Sequence, residues 1–538
     1  MSRARDVASN NLALINPTSD GNLLTASSGA WVSQAPAPAP PDVAGNIVEL
    51  TANGSIADGK PVILENAGTV AQVAQTGSTA AAVLQGASGK WMSDGASTFG
   101  WSQMFYNTVD DTIVVVYRDE QNSNYPTVCI GTVSNNTASG VSWGTPATLS
   151  TSGGGYWIAG AADGNGRMAA FWQNQSTGNN GKCRGFVKSG SSVSLGNIST
   201  YSNAGVQYYH ATYDSHVGAI VLGYRQYTNG NTAYLRYFQV TSSNNINAIT
   251  GEAQIHNSYS TEYNRIAYSP DHQRVMMVYT NTADNSLRYS LMSYSGGALY
   301  NARNGAVDSN SNQGCCVVYD ESIDKFIAFY GSNTNTRGEG RIITVTAGGS
   351  GSSPSDTVSV GAAQNFNSYA TGQVEVAYWA SQNMSVIAYT GTPNSEGRAQ
   401  TVSVSGSTIT YGGELNTSPS PLNSAVWHMP VYDPDNDSVV IGFRAYNSST
   451  SLNQSTTSII AMVATTNLTA TNFLGIASGS VTNGQTATIQ LTGNVDDAQT
   501  GMTVNDTMYV QDDGTISTAT GQNVVAGRAL SATQLKIA

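Results

Sequence analysis

The chain has 538 residues, of which only 10% are charged, and its formal net charge is −12 at pH 7. The 22 Lys and Arg residues form no cluster, so the sequence excludes a nucleic-acid partner, which needs a basic face. No apolar run reaches the roughly 18 residues that a membrane-spanning helix needs. The 56 glycines and the many Ser, Thr and Asn residues favour short strands joined by turns over helices, and the length predicts two or three domains.

Residues 1–46 are predicted to be an N-terminal arm that ends in a Pro-rich linker. The start, MSRARDVASNNLALINP, lacks the apolar segment of a secretory signal, and SQAPAPAPPD at 33–42 is typical of an extended linker. Residues 47–73 then contain two or three short strands separated by NG, DG and AG turns. We therefore predict that 47–88 is the first part of a β domain.

A repeat with a constant internal spacing organises the middle of the chain. Each of seven copies has an anchor residue followed eleven positions later by an aromatic residue, and successive anchors lie 51 to 59 residues apart. The pairs are Tyr106/Tyr117, Ala161/Trp172, Tyr213/Tyr224, Tyr268/Tyr279, Tyr319/Tyr330, Tyr378/Tyr389 and Tyr432/Phe443. Each copy has the pattern of a β-hairpin, and two further strand-like segments follow it.

Four short strands in each of seven repeats predict a seven-bladed β-propeller over residues 92–468. A flat β-solenoid is the alternative, although its repeats are usually shorter. One more outer strand is needed to close the ring, and either 81–91 or 469–477 fits that role. The predicted fold class is therefore all-β.

Residues 470–538 are predicted to complete the domain that begins at residue 47. The segment ASGSVTNGQTATI is similar in style to ANGSIADGKPVIL near the N-terminus. Because the two termini of a propeller usually lie close together, a propeller can be inserted in a loop of another domain. We predict that 47–88 and 470–538 pack as one split β domain, similar to a sandwich or a barrel.

Three aspartates of the last repeat, Asp433, Asp435 and Asp437, alternate as the first ligands of a calcium loop do. The loop would need Gly and Glu at later positions, where this chain has Ser438 and Arg444. Other copies fill the same turn with NTVDD or DSHVG, so we interpret the aspartates as turn-forming residues. The four cysteines have no ligand spacing either, and we expect no metal and no cofactor.

Five residues before each anchor, five of the seven copies have an aromatic residue. These positions are Trp101, Tyr156, Tyr208, Tyr263, Gly314, Gln373 and Trp427, and Trp157, Tyr209 and His428 adjoin them. Arg118, Arg225 and Arg444 follow the second aromatic residue in three copies. Because long polar loops open on the same face, we predict that these aromatic residues and arginines form a glycan-binding face. Two alternatives stay open: the aromatic residues pack blade against blade, and the arginines end a strand and face solvent.

The sequence contains no recognisable catalytic motif. The five histidines are not accompanied by a G-x-S-x-G elbow, no sialidase-type S-x-D-x-G-x-x-W box occurs, and nothing singles out a pair of carboxylates. We therefore expect that the protein is not an enzyme.

The opening MSRARDVAS and the ending at 501–538, GMTVNDTMYVQDDGTISTATGQNVVAGRALSATQLKIA, resemble segments of structural proteins of tailed bacteriophages, notably marine and cyanobacterial ones. The resemblance implies a virion protein made in the host cytoplasm, whose arm and split domain bind other virion proteins. We expect a tail-fibre-like homo-oligomer whose propeller recognises a host surface glycan. A capsid fibre, decoration or connector protein with a structural role is the alternative, and a polysaccharide depolymerase is a third.

Overall fold

The computed structural model describes most of the chain in twelve ranges. These are residues 23–27, 30–34, 46–65, 68–84, 89–92, 95, 99–133, 140–255, 260–348, 355–391, 395–521 and 523–538, except for the side chains of 23–34, 99–101, 310–313, 423 and 464. Within these ranges the fold is all-β, with two short 3-10 turns at Gln175–Thr177 and Ala380–Gln382. No helix long and apolar enough to cross a membrane occurs in the described part. Of the predicted arm at 1–46, only residues 23–27, 30–34 and 46 lie within these ranges.

The chain divides into two compact units. One unit combines Met1–Thr79 with Met462–Ala538, and the other is Ala80–Ala461. The strands before the first repeat are β1 (Leu23–Ser27), β2 (Ala30–Gln34), β3 (Ile47–Thr51), β4 (Pro61–Leu64), β5 (Val70–Gln72) and β6 (Gln75–Leu84).

Each predicted hairpin is present, and each is followed by further antiparallel strands. Repeat 1 has β7 (Phe99–Asn107), β8 (Thr112–Asp119), β9 (Tyr125–Val133), β10 (Val141–Trp143) and β11 (Ala147–Thr148). Repeats 2 and 3 have β12 (Gly155–Ala162), β13 (Arg167–Asn174), β14 (Asn180–Ser189), β15 (Ser192–Asp214), β16 (Ala219–Gln226), β17 (Thr232–Val240), β18 (Ile246–Ala248) and β19 (Ala253–Gln254).

The next two repeats are built in the same way as repeats 2 and 3. Repeats 4 and 5 have β20 (Thr261–Ser269), β21 (Arg274–Asn281), β22 (Ser286–Ser295), β23 (Ala298–Asp320), β24 (Lys325–Ser332), β25 (Arg337–Thr346), β26 (Thr357–Val360) and β27 (Gln364–Asn365). The 23-residue strands β15 and β23 each pair with β14 or β22 in their first half and with β16 or β24 in their second half. Each of them is therefore the outer strand of one repeat and the inner strand of the next.

The last two repeats complete the second unit. Repeat 6 has β28 (Thr371–Trp379), β29 (Met384–Gly391), β30 (Glu396–Ser405), β31 (Thr408–Tyr411) and β32 (Leu415–Asn416), and repeat 7 has β33 (Leu422–Asp433), β34 (Ser438–Asn447) and β35 (Leu452–Thr466). The fourth strand of repeat 7 is β6, because the sheet order is β33-β34-β35-β6. The outer strand of the last repeat thus comes from the N-terminal side, at 75–84. It overlaps 81–91, one of the two segments that the sequence offered for closing the ring.

The middle strands of the repeats are buried on both faces, which explains their continuous apolar runs. Residues 113–117 of β8 have no exposed side-chain surface. Successive side chains of a strand point to opposite faces of the sheet. Val115 accordingly packs in a cluster with Val440 of repeat 7, whereas Val114 packs in a cluster with Ala170 of repeat 2. Antiparallel sheets that are stacked face to face in chain order give the second unit a fold of the β-propeller type.

The three aspartates of repeat 7 have two different roles. The Asp433 carboxylate accepts hydrogen bonds from the backbone N–H groups of Asp435 (3.1 Å) and Asn436 (3.4 Å), which is the geometry of a turn residue. Asp437 instead accepts hydrogen bonds from Nε1 of Trp379 (2.6 Å) and Nε2 of Gln382 (2.8 Å) in repeat 6. Its carboxylate therefore joins two neighbouring repeats, a role that the turn pattern did not predict.

The first unit contains two sheets, and the larger one combines strands from both ends of the chain. Its C-terminal strands are β36 (Phe473–Ala477), β37 (Thr486–Gln490), β38 (Val495–Asp496), β39 (Thr507–Val510), β40 (Ile516–Ser517), β41 (Val525–Ala529) and β42 (Leu535–Ile537). The larger sheet has the order β2-β1-β3-β37-β36-β4-β5, so that β3 near the N-terminus pairs with β37. The second sheet has the order β38-β42-β41-β39-β40, and Leu535 packs there with Ile63 and Ile476 of the larger sheet.

Candidate functional site

A β-bulge interrupts the first strand of every hairpin at the same place. The register shifts lie between Gly100/Gln103, Tyr156/Ala159, Gln207/His210, Glu262/Arg265, Gln313/Cys315, Gly372/Glu375 and Val426/Met429. We name the first residue inside each bulge the first bulge position. A bulge turns side chains away from the regular alternation of the strand, which makes it a common means of building a site.

The first bulge position has a left-handed backbone in six repeats. The φ angles are +51° at Trp157, +55° at Tyr208, +52° at Tyr263, +71° at Gly314, +46° at Gln373 and +59° at Trp427. Four of these six residues are aromatic, although a bulky residue in this region is unusual and costs about 1–3 kcal/mol. The fold therefore holds these four rings at equivalent positions of four repeats, at a cost in backbone free energy. Backbone strain of this kind is common at binding sites.

The structure corrects one register that the repeat pattern predicted. Trp157 occupies the first bulge position of repeat 2. The count of five residues back from the anchor Ala161 had placed Tyr156 there. The cause is a shorter hairpin turn: backbone Asp163 pairs with Arg167 in repeat 2, whereas Asp214 pairs with Ala219 in repeat 3. Tyr156 instead lies one residue earlier in the strand.

Residues from these bulges line a cavity of about 460 Å³ in the second unit. The lining residues are Ser102, Trp157, Ile158, Tyr208, Tyr209, Tyr263, Arg265, Gly314, Cys315, Gly372, Gln373, Val374, Glu375, Trp427 and His428. Six of the sequence-predicted candidates are among them: Trp157, Tyr208, Tyr209, Tyr263, Trp427 and His428. The side chain of Trp101 lies outside the described part of the chain, and Tyr156, Arg118, Arg225 and Arg444 do not line the cavity.

Aromatic rings form one continuous wall of the cavity. The ring centroids of Trp157 and Tyr208 are 4.2 Å apart, and those of Tyr208 and Tyr263 are 5.6 Å apart. All three side chains are only partly buried, as is that of Trp427. Trp157, Tyr263 and Trp427 also pack against core clusters of the repeats, so the predicted packing of blade against blade occurs alongside their place in the cavity lining.

A partly buried ion pair contributes to the lining of the cavity. Nε of Arg265 in repeat 4 donates to Oε1 of Glu375 in repeat 6 at 2.7 Å. Burial lowers the pKa of Arg265, but the charge of Glu375 outweighs burial and raises that pKa, so the guanidinium stays protonated. Neither residue is among the candidates predicted from the sequence. Each lies two residues after the first bulge position of its repeat, so an alignment of the repeats places both in one column. Charged residues in that column are the signal that would have identified them.

A second polar link crosses between repeats that are not neighbours. Nε2 of Gln103 in repeat 1 donates to the carbonyl oxygen of Ala211 in repeat 3 at 2.8 Å, and the backbone N–H of Ala211 donates to Oε1 of Gln103 at 3.1 Å. Gln103 occupies the same column as Arg265 and Glu375. Side chains of this column therefore connect repeats 1 with 3 and repeats 4 with 6.

His428 is a buried polar group of the cavity wall. Its side chain is 2% exposed and is stacked on Phe443, with ring centroids 5.9 Å apart. Neither ring nitrogen has a hydrogen-bond partner among the described residues. Burial lowers the pKa of His428 to about 3, so the ring is neutral at pH 7. A neutral imidazole has one donor and one acceptor nitrogen, and both are buried here without a partner in the described part of the chain.

Two of the predicted arginines lie over aromatic rings, and one of these rings belongs to the cavity wall. The guanidinium of Arg225 lies 4.6 Å from the ring centroid of Tyr208, and its Nη1 donates to the carbonyl oxygen of Thr261 at 2.9 Å. Arg118 lies over Tyr156 at 4.1 Å. Cation–π contacts of this kind hold a ring in one orientation.

Arg444 is the third predicted arginine and is also mostly buried. Burial lowers its pKa, and the nearby charges of Glu120 and Arg118 act on it in opposite directions. Arg118 is ion-paired with the same Glu120. None of the three arginines lines the cavity, and the side chains of Arg118 and Arg225 are mostly buried against an aromatic ring.

Comparisons with known proteins show likenesses of fold only. No family model matches, and no curated protein matches. A periplasmic gluconolactonase of Pseudomonas aeruginosa is 10% identical, over 59% of this chain and 84% of that chain, with a TM-score of 0.42. The Cps50 beta-propeller domain of Myceliophteria thermophila is 8% identical, over 71% and 99%, with a TM-score of 0.42. An intramolecular trans-sialidase of Ruminococcus gnavus is 9% identical, over 70% and 98%, with a TM-score of 0.39.

These comparisons correct the expectation that the protein is not an enzyme. That expectation is wrong because the similar solved structures include a gluconolactonase and a trans-sialidase. At identities of 10% or less, they assign no activity to this chain. The absence of a nucleophile motif was too narrow a criterion, since catalysis also uses residues that are distant in the sequence.

Proposed function

We propose that the seven repeats are the blades of a seven-bladed propeller ring over about residues 92–468, and that 47–88 and 470–538 form a split β domain. Two observations support the ring. Val115 of repeat 1 shares a core cluster with Val440 of repeat 7, so the first and last repeats are in contact. In addition, β6 adds an outer strand to repeat 7 from the opposite end of the chain, which is an effective way to close a ring.

We propose further that the cavity binds a carbohydrate. The observation that carries this proposal is the wall of partly exposed rings of Trp157, Tyr208, Tyr263 and Trp427 around a cavity of about 460 Å³. Aromatic faces pack against the C–H faces of sugar rings, while nearby polar groups bond the hydroxyls. A volume of several hundred cubic ångströms that combines apolar walls with a few polar groups is typical of a small-molecule site.

The biological setting that we propose is the virion of a tailed phage. The resemblance of the chain ends to phage structural proteins supports a tail-fibre-like protein that recognises a host surface glycan. Binding of virion proteins by the split domain and homo-oligomer formation belong to the same proposal. Locating the protein in an intact particle tests it, because a propeller buried among other virion proteins would favour a purely structural role instead.

Carbohydrate binding is tested with the full chain on an array of bacterial surface polysaccharides. The informative variant is Trp427→Gly, because glycine is compatible with the φ of +59° and already occupies the equivalent position at Gly314. We expect at least a tenfold loss of binding. The control is Tyr300→Ala, which removes a partly buried ring on β23 that does not line the cavity. Absence of binding to every polysaccharide, or equal binding by both variants, would refute the proposal. An assay of reducing ends in the same samples separates binding from turnover.

A further inference from the structure

Two side-chain links cross between repeats, one in the lining of the cavity and one next to the lining residue Ser102. The Arg265–Glu375 pair joins repeats 4 and 6, and Gln103 bonds the backbone of repeat 3 from repeat 1. In each case a complete repeat of the chain separates the two partners. A ligand in the cavity therefore lies against a side-chain link that spans repeats 4 and 6.

The volume of the cavity limits how much of a glycan can enter. About 460 Å³ lies in the range of pockets that take one small molecule, which corresponds to about one or two sugar rings. A chain end of one or two sugars fits this space, whereas a longer internal segment exceeds its volume.

The charges that line the cavity favour a neutral ligand. Arg265 and Glu375 neutralise each other, and His428 is neutral at pH 7. Burial raises the pKa of Tyr208 far above neutrality, so that its phenol is uncharged as well. A sugar carboxylate would be desolvated here without a free cation to bind, which is costly, whereas a hydroxyl group can pair with either nitrogen of His428.

We propose that the cavity takes the uncharged terminal sugar of a glycan end-on, with its ring against the aromatic wall and a hydroxyl bonded to His428. This inference rests on the proposed function and narrows it in two ways. The ligand is a chain end, and that end carries no charge. It also gives the unpartnered nitrogens of His428 a role, because a buried polar group without a partner costs about 1–3 kcal/mol in the free protein.

The test is a competition experiment with the full chain. The probes are the methyl glycosides of glucose, galactose, mannose and N-acetylglucosamine, with glucuronic and galacturonic acid as charged counterparts, and binding is followed by saturation-transfer NMR. We expect at least one neutral glycoside to bind and to displace the polysaccharide found on the array. We expect the uronic acids to bind at least tenfold more weakly than the neutral sugar of the same configuration.

Two variants test the residues that carry the inference. His428→Phe removes both nitrogens and keeps a ring against Phe443, and it should weaken binding of the neutral glycoside at least tenfold. Glu375→Gln leaves Arg265 without its counter-charge, and it should raise the affinity for uronic acids relative to neutral sugars. Tyr300→Ala again serves as the control.

The outcomes separate this inference from the proposed function. Binding of a polysaccharide that no monosaccharide displaces, and that persists after the terminal sugars are removed by exoglycosidases, would overturn the inference and leave carbohydrate binding intact. Uronic acids that bind as tightly as neutral sugars would also overturn it. Failure of all carbohydrates to bind would overturn both.

Discussion

Replacement of His428 by leucine should make the stability of the second unit less dependent on pH. Below pH 6.5 the unfolded chain binds a proton on this histidine, whereas the folded chain does not do so until about pH 3. Unfolding is therefore favoured progressively as the pH falls through this window, and the contribution of His428 to stability is complete only above pH 6.5. Leucine fills a similar volume beside Phe443 and does not titrate.

The expected size of the effect follows from the two pKa values. A group with a pKa of about 3 when folded and 6.5 when unfolded lowers the free energy of unfolding by about 2 kcal/mol between pH 7.5 and pH 5. All other titrating groups are common to both proteins, so their contributions cancel in the difference. His210, whose pKa burial also lowers to about 3, remains in the variant and supplies a second, independent step of similar size.

Urea unfolding at a series of pH values measures this difference. Tryptophan fluorescence reports on the second unit, because seven of the eight tryptophans lie between residues 80 and 461. The free energies of wild type and His428→Leu should diverge by about 2 kcal/mol in favour of the variant between pH 7.5 and 5, whatever their offset at pH 7.5. Curves that stay parallel would refute the buried, neutral state of His428. The double variant with His210→Leu should add a further difference of similar size.

Three further substitutions test contacts of the second unit by urea unfolding at pH 7. Asp437→Asn removes the charge that accepts three hydrogen bonds from repeat 6, from Trp379, Ser381 and Gln382, and should cost about 1–2 kcal/mol. Gly338→Ala would place its Cβ 2.1 Å from the buried ring of Phe366, and such overpacking should cost about 1–3 kcal/mol. Arg274→Met breaks the buried pair with Asp356, in which Nε lies 2.6 Å from Oδ2, and should cost about 3–5 kcal/mol.

Each of these predictions has a matched control. Asp435→Asn changes an exposed carboxylate two residues away, and Gly413→Ala adds a Cβ with no atom within 4 Å; both should stay within about 0.5 kcal/mol of wild type. Adding Asp356→Asn to Arg274→Met removes the unpaired buried charge and should recover part of the loss. A control as destabilised as its partner, or a double variant no better than the single one, would contradict the stated cause.

The sequence determined the local elements of the repeat because their causes are local. A β-branched run such as residues 113–116, bounded by turn residues, favours a strand of a hairpin. The aromatic residue that ends the run, Tyr117 in repeat 1, is buried as part of the same pattern. The aspartate turn at Asp433 was predicted for the same reason. These features depend on contacts among residues that are close in the chain.

Only the tertiary structure decided the features that depend on register and on distant pairing. The shift from Tyr156 to Trp157 results from one missing residue in a turn, which a fixed spacing cannot detect. The partnership of Arg265 with Glu375 joins residues 110 positions apart, and their opposite charges meet only when the repeats are stacked. Likewise, β6 pairs with β35 because it lies beside the edge of the sheet of repeat 7 in the folded protein. No local sequence pattern encodes that position.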